Sequence, residues 1–113
     1  MQERRGSKRV PIALFVRFEI EDQEEAKYGS FTQDASVDGL KLLSPYKLKT
    51  NANLNMSIDI PNDPDMAQAE GNVRWVSQKP IKDETGNELY PAGVAFTYMD
   101  RQDKTFFEKY LNQ

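Results

Sequence analysis

The stretch IALFVRFEI, residues 12–20, places Ile12, Leu14, Val16, Phe18 and Ile20 on one face and Ala13, Phe15, Arg17 and Glu19 on the other. Period two held over nine residues specifies a strand with one face committed to a core. The same period recurs downstream. LNMSIDI (54–60) turns Leu54, Met56, Ile58 and Ile60 inward, and GLKLLS (39–44) sets Leu40 and Leu42 together. EGNVRWVSQ (70–78) pairs Val73 with Trp75, and GVAFTYM (93–99) aligns Val94, Phe96 and Tyr98. KYGSFTQ (27–33) is a weaker strand in which Gly29 marks a bulge or a close approach.

Between these runs the chain is polar. EDQEEAK (21–27), DASVDG (34–39), SPYKLKTNAN (44–53) and PNDPDM (61–66) read as turns or loops. KPIKDETGNELYP (79–91) reads as a long hairpin-like loop around a Thr-Gly-Asn turn. Only the end is helical in pattern. Asp100 suits an N-cap, Asp103 the first turn and Lys109 the last, while Phe106, Phe107, Tyr110 and Leu111 share a face. About six short strands without intervening helices predict an all-β fold, a six-stranded antiparallel β-barrel with a C-terminal α-helix docked on it. The 113 residues make one domain: an arm over 1–10, a barrel over 11–99 and a helix over 100–112.

Composition narrows function. Apolar residues make up 38% and charged residues 29%, the balance of a globular chain. No apolar run reaches membrane-spanning length, and no signal-peptide pattern opens the chain, so a cytoplasmic protein is expected. With neither Cys nor His, disulfides, thiolate chemistry, most hydrolytic triads and most transition-metal sites are excluded. No carboxylate pair stands at a recognisable catalytic spacing, so the expectation is a protein that is not an enzyme. Asp59, Asp63, Asp65 and Glu70 fit no calcium loop and read as hydrated side chains, so no metal site is expected.

Charge is uneven. ERRGSKR (3–9) carries four cations against one acid, while the remainder of the chain is acidic, at −6. That body has no broad basic surface with which to displace counterions from general nucleic acid. The basic stretch fits either a solvated tail or a local clamp for a small anion, since guanidinium forks grip phosphate oxygens or a guanine edge bidentately. DASVDG likewise fits two readings. Asp34 and Ser36 can form an Asx or Ser turn, or a carboxylate and hydroxyl can face a guanine edge, with Gly39 supplying a positive φ at the turn. Trp75 could stack on a base, though its alternation with Val73 suits a core position. Tyr90, before the last strand, is a weaker ligand-lining candidate.

In combination the two motifs resemble the PilZ domain family, whose signature is an RxxxR segment before the first strand and DxSxxG after the second. GNVRWV (71–76) is similar to the family's Gly-x-Val-x-Trp strand, and AGVAF (92–96) to its closing strand. The resemblance covers nearly the whole length. It implies a bacterial receptor for cyclic di-GMP, with no other cofactor. Arg5 and Arg9 would contact phosphates and guanines, assisted by Arg4. Asp34 and Ser36 would read guanine edges, and Gly39 would hold the turn. In place of a glycine common in the family before its fourth strand, this chain offers Asn51 or Asn53, which tolerate left-handed geometry. A domain standing alone, as monomer or homodimer, would signal to a protein partner as the arm orders. The competing readings are a PilZ-fold interaction domain blind to the nucleotide, and a small RNA-binding barrel.

Overall fold

The computed structural model describes residues 8–23, 27–61 and 66–112. Its elements in chain order are β1 (Val10–Pro11), β2 (Phe15–Ile20), β3 (Lys27–Ser36), β4 (Gly39–Ser44), β5 (Asn53–Ile58), β6 (Ala67–Val76), β7 (Ile81–Lys82), β8 (Glu88–Met99) and α1 (Arg101–Leu111). Every pairing is antiparallel. The order β3-β2-β5-β6-β8-β4 closes through β3–β4 pairing, giving the six-stranded barrel that the alternating runs predict. The two-residue β1 and β7 are additions, on β3 and β8 respectively.

The inward positions of the opening strand fill the barrel. Leu14, Val16, Phe18 and Ile20 are buried with Leu54, Met56, Ile58 and Ile60, while Ile12 is only half-buried. Full burial of such side chains contributes about 1.5–3 kcal/mol each. The ladder differs from the expected strand in one respect: residues 12–14 leave it. The buried Thr32 hydroxyl fills that gap, accepting from Leu14 N (2.9 Å) and donating to Ile12 O (2.7 Å). It thereby fixes how the N-terminal segment leaves the barrel.

Strict alternation fails where strands carry bulges, because one extra residue reverses the phase of the remainder of the strand. A register shift between Val73 and Trp75 leaves Val73 buried and turns Trp75 out, 46% exposed, so Trp75 is not a core residue. A second shift, at Glu70/Gly71, skips Thr97 on β8 and exposes Tyr98, leaving Met99 half-buried in its place. The last strand starts at Glu88, earlier than its apolar run suggests, so Tyr90 and Pro91 are ladder residues opposite Ser44 and Leu43. Leu48, in the polar-looking loop after β4, is buried in the core.

The left-handed positions are informative. Asn51 has φ 75°, the conformation for which an asparagine is an acceptable substitute for glycine. Gly86 has φ 88°, as expected of the Thr-Gly-Asn turn. Gly39 does not need a positive φ. It is required because a Cβ there would overlap the Val94 carbonyl on β8. Gly29 is a close approach rather than a bulge, since the Phe15 ring lies over it.

Helix α1 is capped as its sequence suggests, with Asp100 Oδ2 accepting from Gln102 N at 3.2 Å. Asp103 accepts from Gln68 N at 3.1 Å, tying the first turn to the start of β6. Phe107 and Leu111 are buried, Phe107 edge-on to Phe96 at 5.8 Å. Phe106 faces away from the core, 48% exposed, because the stripe that reaches the barrel is narrower than the aromatic run.

The β7–β8 loop is organised by Asp83, whose Oδ1 accepts from Thr85 Oγ1, Asn87 N and Thr85 N. These bonds, the Thr85 hydroxyl foremost, hold its carboxyl below the ordinary aspartate value. A depressed folded-state value contributes order that is fully present above the ordinary value and lost as pH falls through the lowered one. Amide shifts of Thr85 and Asn87 should therefore titrate with a midpoint below that of an unstructured aspartate. A midpoint at the ordinary value would contradict the capped loop.

Candidate functional site

The second motif is aimed by a bulge. A register shift between Thr32 and Asp34 on β3 lets Thr32 and Ala35 both point inward, which turns Asp34 outward. Ser36 then ends the strand. It is buried, its hydroxyl accepts from Asp38 N at 3.1 Å, and it lies 3.5 Å from Gly39 O. The turn is thus a Ser turn over 36–39, and Asp34, still in the β3 ladder, stands clear of it. The Asp38 carbonyl accepts from Phe96 N at 2.8 Å, seating the turn on β8.

The first motif meets it. β1 pairs Pro11 with Asp34 and Val10 with Ala35, which leaves Arg9 beside the turn. Arg9 donates from Nε (3.0 Å) and Nη2 (2.6 Å) to Asp34 Oδ1. Both side chains are partly exposed, at 38% and 26%. An ion pair so accessible is worth about 0–1 kcal/mol, little enough for a ligand to open. Arg4 and Arg5 lie outside the described residues, as do Asp63 and Asp65. Asp59 and Glu70 are described, and among the described residues no group of three or more His, Cys, Asp or Glu side chains could hold a metal.

The barrel extends this site in a direction the motifs do not indicate. Asp34 is in register with Lys41 on β4, Lys41 with Gly93 on β8, and Gly93 with Trp75 on β6. A row therefore crosses the outer wall from Arg9 to Trp75. The Trp75 indole lies over Gly93, where any side chain would collide with it, and Lys41 Nζ sits 5.7 Å from the ring centroid. Lys41 was readable as outward from its place between Leu40 and Leu42. The bulge that exposes Trp75 was not readable from alternation. The wall beside Asp34 thus offers a carboxylate, two cations and an exposed aromatic face, which together suit an anion with flat heterocycles.

Residues 3–113 match the family model of the PilZ domain. The chain belongs to the PilZ family. Its fold recurs at low sequence identity in solved structures. The inhibitor of motility MotI/DgrA of Bacillus subtilis is similar at TM-score 0.75 and 15% identity, over 98% of this chain and 51% of that one. The PilZ domain of YcgR from Escherichia coli, solved with c-di-GMP, is similar at 0.71 and 12%, over 97% and 90%. MrkH, described as a c-di-GMP-dependent transcription regulatory factor, is similar at 0.69 and 17%, over 96% and 50%. This PilZ chain therefore spans about half the length of the MotI and MrkH chains. No curated protein matches it in sequence. Among the described residues, no helix is long and apolar enough to cross a membrane.

Proposed function

We propose that this PilZ domain is a cyclic di-GMP receptor whose site is the wall beside Asp34, closed over the ligand by the arginine arm. The observation that carries this reading is the Arg9–Asp34 contact. It unites the two motifs, 25 positions apart, at one place on the barrel. The ligand's presence in the YcgR structure supports the same chemistry.

Cyclic di-GMP presents two phosphate charges and two guanines. The Arg9 fork leaves Asp34 to hold a phosphate oxygen or the O6/N7 edge of a guanine. Asp34, released, accepts from guanine N1–H and N2–H, a pattern adenine lacks. Ser36 is buried in its turn, so it serves by fixing the loop from which Asp34 projects, and Gly39 serves by seating β4 on β8. Arg5, assisted by Arg4, supplies the remaining cationic contacts. Trp75 offers a face to an outer base. Exchange of the Arg9–Asp34 pair for ligand contacts changes the charge and shape of one barrel wall, which is the signal passed to a protein partner.

Calorimetric titration with cyclic di-GMP should give micromolar or tighter binding, with a change in Trp75 emission. Absence of heat at micromolar protein would remove the reading. Asp34→Ala should weaken binding by about 10- to 100-fold, the loss of a charged hydrogen-bond acceptor. It should also narrow the preference for cyclic di-GMP over cyclic di-AMP. An unchanged preference would show that Asp34 does not read the base.

A further inference from the structure

A second surface lies on another part of the wall. Phe15 on β2 and Phe31 on β3 are register partners that both face outward, their rings edge to face at 5.3 Å. Phe31 is 52% exposed. The bare backbone of Gly29 makes the shelf on which Phe15 rests: a Cβ there would stand 2.8 Å from Phe15 Cζ. Leu43 and Leu89 continue the apolar floor into a groove of about 600 Å³. The charged groups lining it, Asp83 and Glu88, are both acids, and both come from the β7–β8 hairpin. Single exposed apolar side chains need no explanation, but an exposed phenylalanine packed on a half-buried one, continuous with a groove whose lining charges are both acidic, marks a recognition surface, with the Arg17 guanidinium at its edge, 5.9 Å from the Phe15 ring centroid.

We propose that this groove docks a segment of a partner protein carrying a large apolar anchor flanked by Lys or Arg. The anchor packs on Phe31 and Leu89, and the flanking cations meet Asp83 and Glu88. Charge selects the occupant. An acidic segment is repelled by the hairpin, and a second copy of this chain would bring a barrel that is itself acidic, since the residues after Arg9 carry −6. The groove shares β3 with Asp34, so a docked partner lies one strand segment away from the Arg9–Asp34 pair. The docking itself does not depend on nucleotide binding.

The test is an amide-resolved NMR titration with two synthetic peptides, Lys-Arg-Leu-Phe-Lys-Arg and its charge-inverted twin Glu-Asp-Leu-Phe-Asp-Glu. The basic peptide is expected to shift Gly29, Phe31 and Leu89, and the acidic twin to leave them in place. Phe31→Ala should weaken the basic peptide about 10-fold and Glu88→Gln about 3-fold, both variants keeping a dispersed spectrum because the residues are exposed. The proposal is overturned if neither peptide shifts the groove at millimolar concentration. It is equally overturned if shifts spread over the acidic surface and ignore Phe31→Ala, or if both peptides act alike. Groove signals that move with protein concentration alone would assign the surface to a second copy instead.

Discussion

Arg9→Ala is expected to weaken cyclic di-GMP binding by about 100-fold or more while leaving the barrel intact. Arg9 makes two donor contacts to a single carboxylate oxygen, and the same fork is available to a ligand phosphate or guanine. Each charge-assisted bond is worth about 1.5–3 kcal/mol, and each 1.4 kcal/mol is tenfold in affinity. The fold does not depend on this residue, because the pair it makes with Asp34 is accessible to water and worth little. Calorimetry should thus show binding lost, while thermal unfolding shows a midpoint within a few degrees of the parent. Arg9→Lys keeps the charge but not the planar fork, so it should recover only part of the affinity. Wild-type affinity in Arg9→Ala would sink the proposed site. A large fall in the unfolding midpoint would mean that Arg9 is structural instead.

The barrel was legible in the sequence wherever a strand kept a single phase. Residues 14–20 and 54–60 bury the side chains their alternation assigns to the core, because no bulge interrupts them. The errors fall at register shifts and at the ends of elements. Trp75 and Tyr98 come after an extra residue in the ladder, and nothing in the local apolar pattern announces where a sheet must bend to close. Phe106 and Phe107 are adjacent, and only the packing of α1 decides which of them is covered. In the candidate site, the types and order of the motif residues pointed to Arg9 and Asp34, and the structure joins them. Lys41 and Trp75 enter the same wall through cross-strand register, a long-range property that the spacing of motifs along one chain does not encode.

Gly39→Ala should abolish binding as well, but by a different route, and the difference is measurable. Gly39 sits where β4 leaves the Ser turn and crosses to β8, in register with Ala95. A methyl group would overlap the Val94 carbonyl oxygen and crowd the Ala95 Cα, both backbone atoms that cannot rotate aside. Relief requires β4 and β8 to separate at the turn, where the Phe96 N–H also bonds the Asp38 carbonyl. Overpacking against side chains costs about 1–3 kcal/mol, and a clash with backbone belongs at or beyond the upper end. For a domain of this size, about 3 kcal/mol lowers the unfolding midpoint by roughly 13 °C. The last residue of DxSxxG is therefore a seam residue, and its substitution should lower the unfolding midpoint and binding together. Arg9→Ala lowers binding alone. Were Gly39→Ala to bind weakly with an unchanged midpoint, the seam argument would fail, and Gly39 would have to act on the ligand directly.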